Sequence, residues 1–393
     1  MSEGQLDQLP FNPLSPQHLS DPDDRLAAAR TQCPVSLPKG DFATLVRDTD
    51  VRDVLVQTDV YSAKGNFVIE GELDMPVALI TELDAPEHTE LRTRLLRWFA
   101  PRRLRQLTPE VEAIVEQSLA ALPDEGEVEL YDAYVRFIPA KVLFAFMGLP
   151  KEHWGRIQQW TDVILATVPE PIADLPEMQE LMTLLNEVVE QRRSGEPGSG
   201  DVIDGLVHAR EGESELTAGE VITHLFQLVG AGTDTTRSLI VNTVYRLLES
   251  GQWERLVNDR SLLPNAIEES LRLDTPLQFV LRTAKEDTEI GGCPVDAGSK
   301  VFLSLQSANH DEETWGVDAR EYRPDRVGAA SHLAFGRGVH ACMGAPLTRI
   351  EVIKAIDALL DRYPNMRLSP AATWDRIEAP LLKRPRELRV ILG

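Results

Sequence analysis

Residues 332–351 read HLAFGRGVHACMGAPLTRIE, and their reading decides the fold. After Cys342 the apolar residues Met343, Leu347, Ile350, Ile353, Ile356, Leu359 and Leu360 recur at three- and four-residue intervals, which predicts a core-packed helix running to about Arg362. Cys342 then lies at the N-terminal mouth of that helix. Unpaired backbone N–H groups and the helix dipole favour an anion there, so a stabilised thiolate is expected. Gly336, Gly338 and Gly344 remove side chains on both flanks, the pattern expected where backbone comes close to a bulky flat ligand. A lone cysteine is usually a small core residue. This one stands among Phe335, Gly336, Arg337, Gly338, His340 and Gly344.

The spacing F-G-x-G-x-H-x-C-x-G resembles the haem-ligating loop of the cytochrome P450 superfamily. The resemblance implies haem b as cofactor, Cys342 as its axial thiolate and metal ligand, Phe335 and Gly336 against the cofactor, and dioxygen as co-substrate. A thiolate is the ligand type that pushes electron density onto iron and favours O–O cleavage.

The whole chain fits a globular protein: 393 residues, 42% hydrophobic and 26% charged. Its three cysteines, Cys33, Cys293 and Cys342, include no C-x-x-C pair, which argues against a disulfide framework or a structural zinc site and for a reducing compartment. No basic segment leads into an apolar run in the first thirty residues, and no later stretch approaches eighteen apolar residues. A soluble, cytoplasmic, monomeric protein is expected. A net charge of −23 leaves no basic face for nucleic acid.

Residues 1–40 are rich in Pro, Asp and Gln and are expected to wrap the surface of a single domain spanning 1–393. A strand and a helix are predicted over 41–55, then a long irregular loop over 57–83 that reads as functional. Helices are predicted at 86–99, 109–121, 130–147, 151–167, 176–193 and 202–209, with SGEPGSG at 194–200 as an exposed turn. After Pro264 strand-like runs enter at 289–290, 300–305 and 388–392. The fold class is mostly α with a smaller β portion (α+β), and the resemblance implies the cytochrome P450 fold, with haem between a long distal helix and the cysteine-loop helix.

That long helix is predicted over 217–249, opened by a Thr217-x-x-Glu220 capping box. Its middle, GAGTDTTRS, places glycines and hydroxyl residues where a core helix would carry Leu or Ala. This predicts either a local irregularity opening a groove, with Thr235 bonding back to the Ala231 carbonyl, or a close helix crossing. AGTDTT at 231–236 is similar to the superfamily's A/G-G-x-D/E-T-T/S segment over the distal haem face. By that similarity Asp234 and Thr235 are the acid–alcohol pair that delivers protons during oxygen reduction. Members that use peroxide directly depart from this pair. Gly230, Ala231 and, one turn earlier, Gln227 are expected to face substrate.

The resemblance extends to three further motifs. Glu269 and Arg272 match the E-x-x-R pair, a structural element tied to a third arginine, here Arg323 or Arg326. Arg282 matches a propionate-binding arginine. His88 and Arg92, four apart in LDAPEHTELR, match the H-x-x-x-R propionate pair, and His340 is the fourth contact. Two carboxylates drawn partly out of water need several fixed donors. In the segment 277–282 period-two alternation puts Leu277, Phe279 and Leu281 on one face and Gln278, Val280 and Arg282 on the other. Phe67, Val68, Ile69, Val77, Leu277, Gln278, Phe279 and Val280 complete the candidate substrate pocket. It is mainly apolar, with Lys64 as the one candidate anchor for an anion.

The run LRTRLLRWFAPRRLRQL at 91–107 holds six arginines and no acid in an otherwise acidic chain. Arg94, Arg97, Arg102, Arg103 and Arg337 are therefore expected to form a docking surface for an acidic, ferredoxin-type iron–sulfur electron donor. The reading that follows is a haem-thiolate monooxygenase that hydroxylates or O-dealkylates a small-to-medium hydrophobic molecule. The alternative is a non-catalytic haem-thiolate ligand-binding or sensor protein.

Overall fold

The computed structural model describes residues 11–20, 22–32, 35–36, 42–66, 77–167, 174–195 and 200–393. Its principal helices are α1 (Asp23–Gln32), α2 (Asp48–Val56), α3 (Glu87–Leu96), α4 (Pro101–Ala120), α5 (Ile138–Met147), α6 (Trp154–Thr167), α7 (Pro176–Ser194), α8 (Ala218–Glu249), α9 (Leu263–Leu273) and α10 (Ala345–Arg362). The 32 residues of α8 span about 50 Å at 1.5 Å per residue. The expected capping box closes its start: the Thr217 hydroxyl accepts from the Glu220 N–H, and the Glu220 carboxylate accepts from the Thr217 N–H. It packs against α5, α7, α9 and α10 and so runs through the largest apolar cluster.

The strands are β1 (Val35–Ser36), β2 (Phe42–Leu45), β3 (Tyr61–Ser62), β4 (Gly126–Glu129), β5 (Phe279–Ala284), β6 (Thr288–Ile290), β7 (Cys293–Val295), β8 (Lys300–Ser304), β9 (Arg367–Leu368) and β10 (Arg389–Leu392). Five pair in the order β1-β2-β8-β5-β3, with only β2 and β8 parallel; β4-β10-β9 form a second sheet and β6-β7 a hairpin. The two faces of β5 serve two cores. Val280 packs with Val51 and Leu55 of α2, whereas Phe279 and Leu281 pack with Phe11, Phe42 and Phe302. Because side chains alternate along a strand, Arg282 shares the Val280 face.

Several expectations change. The N-terminal segment is not merely a surface wrap, because Phe11, Leu19 and Leu26 build part of that second core, with the Phe11 and Phe302 rings 5.7 Å apart. Helix α4 starts at Pro101 and carries Pro109 inside it. Proline suits the first helical turn, and two candidates stood in the sequence; the structure uses the earlier one. The predicted helix at 130–147 splits into a π-helical turn, Tyr131–Val135, and α5, whose first turn contains Pro139. Helix α8 is unbroken, so the predicted irregularity is absent and the close-crossing reading applies: a Cβ on Gly232 would sit 3.1 Å from the Leu143 side chain of α5.

Beneath α9 lies a buried ionic cluster. The Arg272 guanidinium donates to both Glu269 oxygens at 2.7 and 2.8 Å, and to the carbonyls of Asn309, Ala319 and Glu321. Of the two arginines left open by the sequence, Arg326 is the third member, with its Nε 2.9 Å from Glu269. Arg323 contributes a backbone N–H to Glu269 and pairs its side chain with Asp318.

Candidate active site

The cysteine loop is held by its own backbone. The Cys342 N–H donates to the Phe335 carbonyl at 2.8 Å, the Gly336 N–H to Leu333 and the Ala341 N–H to Gly338. Gly336 and Gly338 take φ of 65° and 73°, a region costly for any residue with a Cβ. A Cβ on Gly338 would also lie 2.8 Å from the Leu55 carbonyl at the end of α2, so this glycine is explained by packing and not by a flat ligand.

Cys342 precedes α10 by three residues and is exposed. The backbone N–H groups of Gly344 and Ala345 do point at its sulfur, and Arg92 and Arg349 add positive charge. Desolvation by the protein packed around this accessible thiol nevertheless outweighs them and raises its pKa, so the helix mouth alone does not give the expected thiolate. A thiol in such a place loses its proton on metal coordination.

Around the loop stand Arg92, Arg282, His88 and His340, none of them bonded to a carboxylate among the described residues. The Arg92 guanidinium reaches the Ala341 carbonyl at 2.5 Å, and the His88 and His340 rings stack with centroids 4.0 Å apart. Arg282 is buried and donates only to the Asn66 side-chain oxygen and the Leu281 carbonyl. Among the described residues neither Arg92 nor Arg282 has a carboxylate in ion-pair range. Burial pushes the Arg282 guanidinium down to about 10; burial and then the neighbours His88, Arg282 and Arg92 push His340 down to about 3. At neutral pH the cluster offers two guanidiniums and two neutral imidazoles, a set rich in N–H donors.

On α8, Ala231 is exposed and Gly230, Asp234 and Thr235 are half-buried, although the helix is packed by neighbours along its length. The same helix packs against α10, which follows the cysteine loop. The Thr235 hydroxyl donates to the Ala231 carbonyl at 2.7 Å, as anticipated. The Asp234 carboxylate is held at 2.8 Å by Arg237, which also reaches Asp162 of α6 and the Arg136 carbonyl.

Comparison with known proteins decides the family. The family model described as Cytochrome P450 matches residues 251–391. The mycinamicin IV hydroxylase/epoxidase of Micromonospora griseorubida is 31% identical over 97% of this chain and 98% of its own. The chain belongs to the cytochrome P450 family. The vitamin D(3) 25-hydroxylase of Pseudonocardia autotrophica is 32% identical, covering 88% of each chain. The crystal structure of the P450 CYP109E1 from Bacillus megaterium in complex with testosterone superposes with a TM-score of 0.85 at 29% identity, over 95% of this chain and 99% of that one. The fold is that of a bacterial-type P450, the activity class is monooxygenase, and the family's cofactor is haem b with dioxygen as co-substrate. The donor set fits that cofactor: unpaired guanidiniums and imidazoles suit its two carboxylates, and an exposed cysteine beside them suits its iron.

Some candidate pocket residues fall elsewhere. Phe279 lies on the opposite face of β5, its ring 4.5 Å from Phe302, and Leu277 packs on the other core, so the two do not share a face. Gln278 is buried and donates to the Pro380 carbonyl. Gln227 is not free to meet substrate, because its Oε1 accepts from the Ile80 N–H and its Nε2 donates to the Thr81 hydroxyl. Phe67, Val68 and Ile69 lie outside the described residues; Val77 is half-buried, Val280 buried and Lys64 exposed. Of the arginine run, Arg94 is buried and spends its donors on the carbonyls of Gly205, Leu206 and Ser214, and Arg97 is paired with Glu213, so neither belongs to a docking face. Arg102, Arg103 and Arg337 are exposed.

Sequence reasoning missed Asn66. Its Oδ1 accepts from Arg282 and its Nδ2 donates to the Thr81 carbonyl, so a hydrogen-bonded chain runs Arg282–Asn66–Thr81–Gln227 from β5 to α8. It also missed Glu268, which binds Arg349 of α10 and His332. No helix among the described residues is long and apolar enough to cross a membrane.

Proposed function

We propose that this P450, acting as one domain over 1–393, takes electrons from an acidic iron–sulfur ferredoxin and hydroxylates or O-dealkylates a small-to-medium apolar molecule. The observation that carries the reading is the Thr235 hydroxyl. It donates its proton to the Ala231 carbonyl, which leaves its oxygen as an acceptor beside Asp234. An alcohol so placed holds a water by accepting from it. Asp234, held by the buried Arg237 and itself partly exposed, supplies protons from solvent. A ligand sensor needs neither group.

In this reading Cys342 would ligate the haem iron, and Arg92, Arg282, His88 and His340 would hold the cofactor's two carboxylates. Bound haem supplies one-electron reduction and dioxygen activation. Apolar Ala231 and Val280, with Gly230, orient the substrate and exclude water. The relatives named for vitamin D(3) and solved with testosterone support an apolar substrate. Exposed Arg102, Arg103 and Arg337 support steering of an acidic donor.

With such a donor and isotopically labelled dioxygen, one labelled atom enters the organic product. Arg102→Glu with Arg103→Glu slows reduction by the ferredoxin several-fold at low salt and leaves reduction by dithionite unchanged. No label in any product across an apolar panel would sink the monooxygenase reading, and unimpaired reduction of the double variant would sink the docking face.

A further inference from the structure

We propose that Glu268 is a positioning residue that masks the charge of Arg349 from the Cys342 sulfur and thereby sets how readily the haem iron accepts its first electron. The inference rests on Cys342 being the axial ligand.

Glu268 is on α9 and 8% exposed, and it grips Arg349 of α10 in bidentate fashion, with Nε and Nη2 at 2.6 and 2.8 Å. Such a fork fixes a guanidinium in direction as well as distance. Arg349 lies over the Phe335 ring, 4.7 Å from its centroid, and the Phe335 carbonyl receives the Cys342 N–H. The Oε2 that accepts from Arg349 Nη2 also faces His332 Nε2 at 3.2 Å, and the Nδ1 of His332 accepts the Ala334 N–H. One buried acid therefore reaches both the side chain covering Phe335 and the residue leading into the loop.

Two cations act on the thiol, Arg92 and Arg349. Arg92 has no carboxylate partner among the described residues, whereas Arg349 is neutralised by Glu268. The tie is strong enough that Arg349 and His332 more than offset the effect of burial and hold the Glu268 carboxyl at about 2. One electron passes from the redox partner to ferric iron, giving ferrous iron, with no bond made or broken. An unmasked cation nearby favours the more negative, reduced state.

The test is the reduction potential of the purified holoenzyme. Glu268→Gln keeps the shape and one oxygen acceptor for Arg349 but removes the charge, and is expected to shift the ferric–ferrous equilibrium about tenfold toward ferrous, or 59 mV for one electron. Arg349→Gln shifts it the opposite way, and the double variant returns close to the starting value. A merely structural brace would move both single variants in the same direction and the double variant further, which would overturn the proposal, as would an unchanged Glu268→Gln potential. Should Arg349→Gln not fold, Glu268→Asp decides: it stays near wild type if charge is what matters and follows Glu268→Gln if it is not. The ferrous carbon-monoxide spectrum separates the two levels of failure. Without thiolate ligation in the wild type the ligand reading itself fails; with it, only the masking is at stake.

Discussion

Replacing Arg272 with leucine is expected to remove about 3–5 kcal/mol of stability, the cost of breaking a buried ion pair by deleting one partner. The reason lies in what is left behind. Arg272 and Glu269 are both 0% exposed, and the guanidinium also satisfies the carbonyls of Asn309, Ala319 and Glu321, in two stretches of chain beyond α9. Leucine fills part of the volume but takes the arginine's donors away from the Asn309 and Ala319 carbonyls and from Oε2 of Glu269, while the Glu321 carbonyl keeps Arg326. The Arg326 guanidinium and the Arg323 backbone N–H remain as donors, both to Oε1 of Glu269. Lysine keeps the charge without the fork and is expected to fall between. Against a total stability of about 5–15 kcal/mol such a loss removes much of the folded population. Denaturant midpoints measure it, and a leucine variant within 1 kcal/mol of wild type would refute the account of the cluster.

Thr235→Ala is expected to uncouple the enzyme: electrons continue to be consumed, organic product falls by about 10²-fold, and hydrogen peroxide appears in its place. Alanine removes the acceptor that the Ala231 contact leaves available, so the water delivering the proton has no fixed position. Thr235→Ser keeps the oxygen and should retain most of the coupling. Asp234→Asn acts differently. It preserves shape and one bond to Arg237 but carries no proton to give, so turnover slows by about 10²-fold while coupling changes less, and the solvent isotope effect on turnover rises. Product formation and peroxide measured together distinguish the two. Equal coupling in Thr235→Ala and wild type would remove Thr235 from the relay.

The parts legible in the sequence are those in which short spacing determines geometry. The capping box of α8, the run of α10 to Arg362, the Glu269–Arg272 pair and the Thr235–Ala231 bond all join residues within four positions of one another. What was hidden depends on chain far away. Arg94 and Arg102 stand in the same basic run, yet one is buried because residues 205–214 cross it and the other is exposed. Glu268 and Arg349 are 81 positions apart, and no pattern joins them. Asn66 lies in an irregular segment without periodicity, and Gln227 has the position of a substrate contact but finds a nearer partner in Thr81. The Gly338 signal was real but misattributed, since a glycine required by packing and one required by a ligand read alike.

The most direct test of the central claim is the ferrous carbon-monoxide difference spectrum of the purified protein beside Cys342→Ser. The account predicts the strongly red-shifted Soret band of thiolate ligation in the wild type and its loss in the serine variant. A wild-type band at the position of imidazole ligation, or a red-shifted band that survives the substitution, would contradict it.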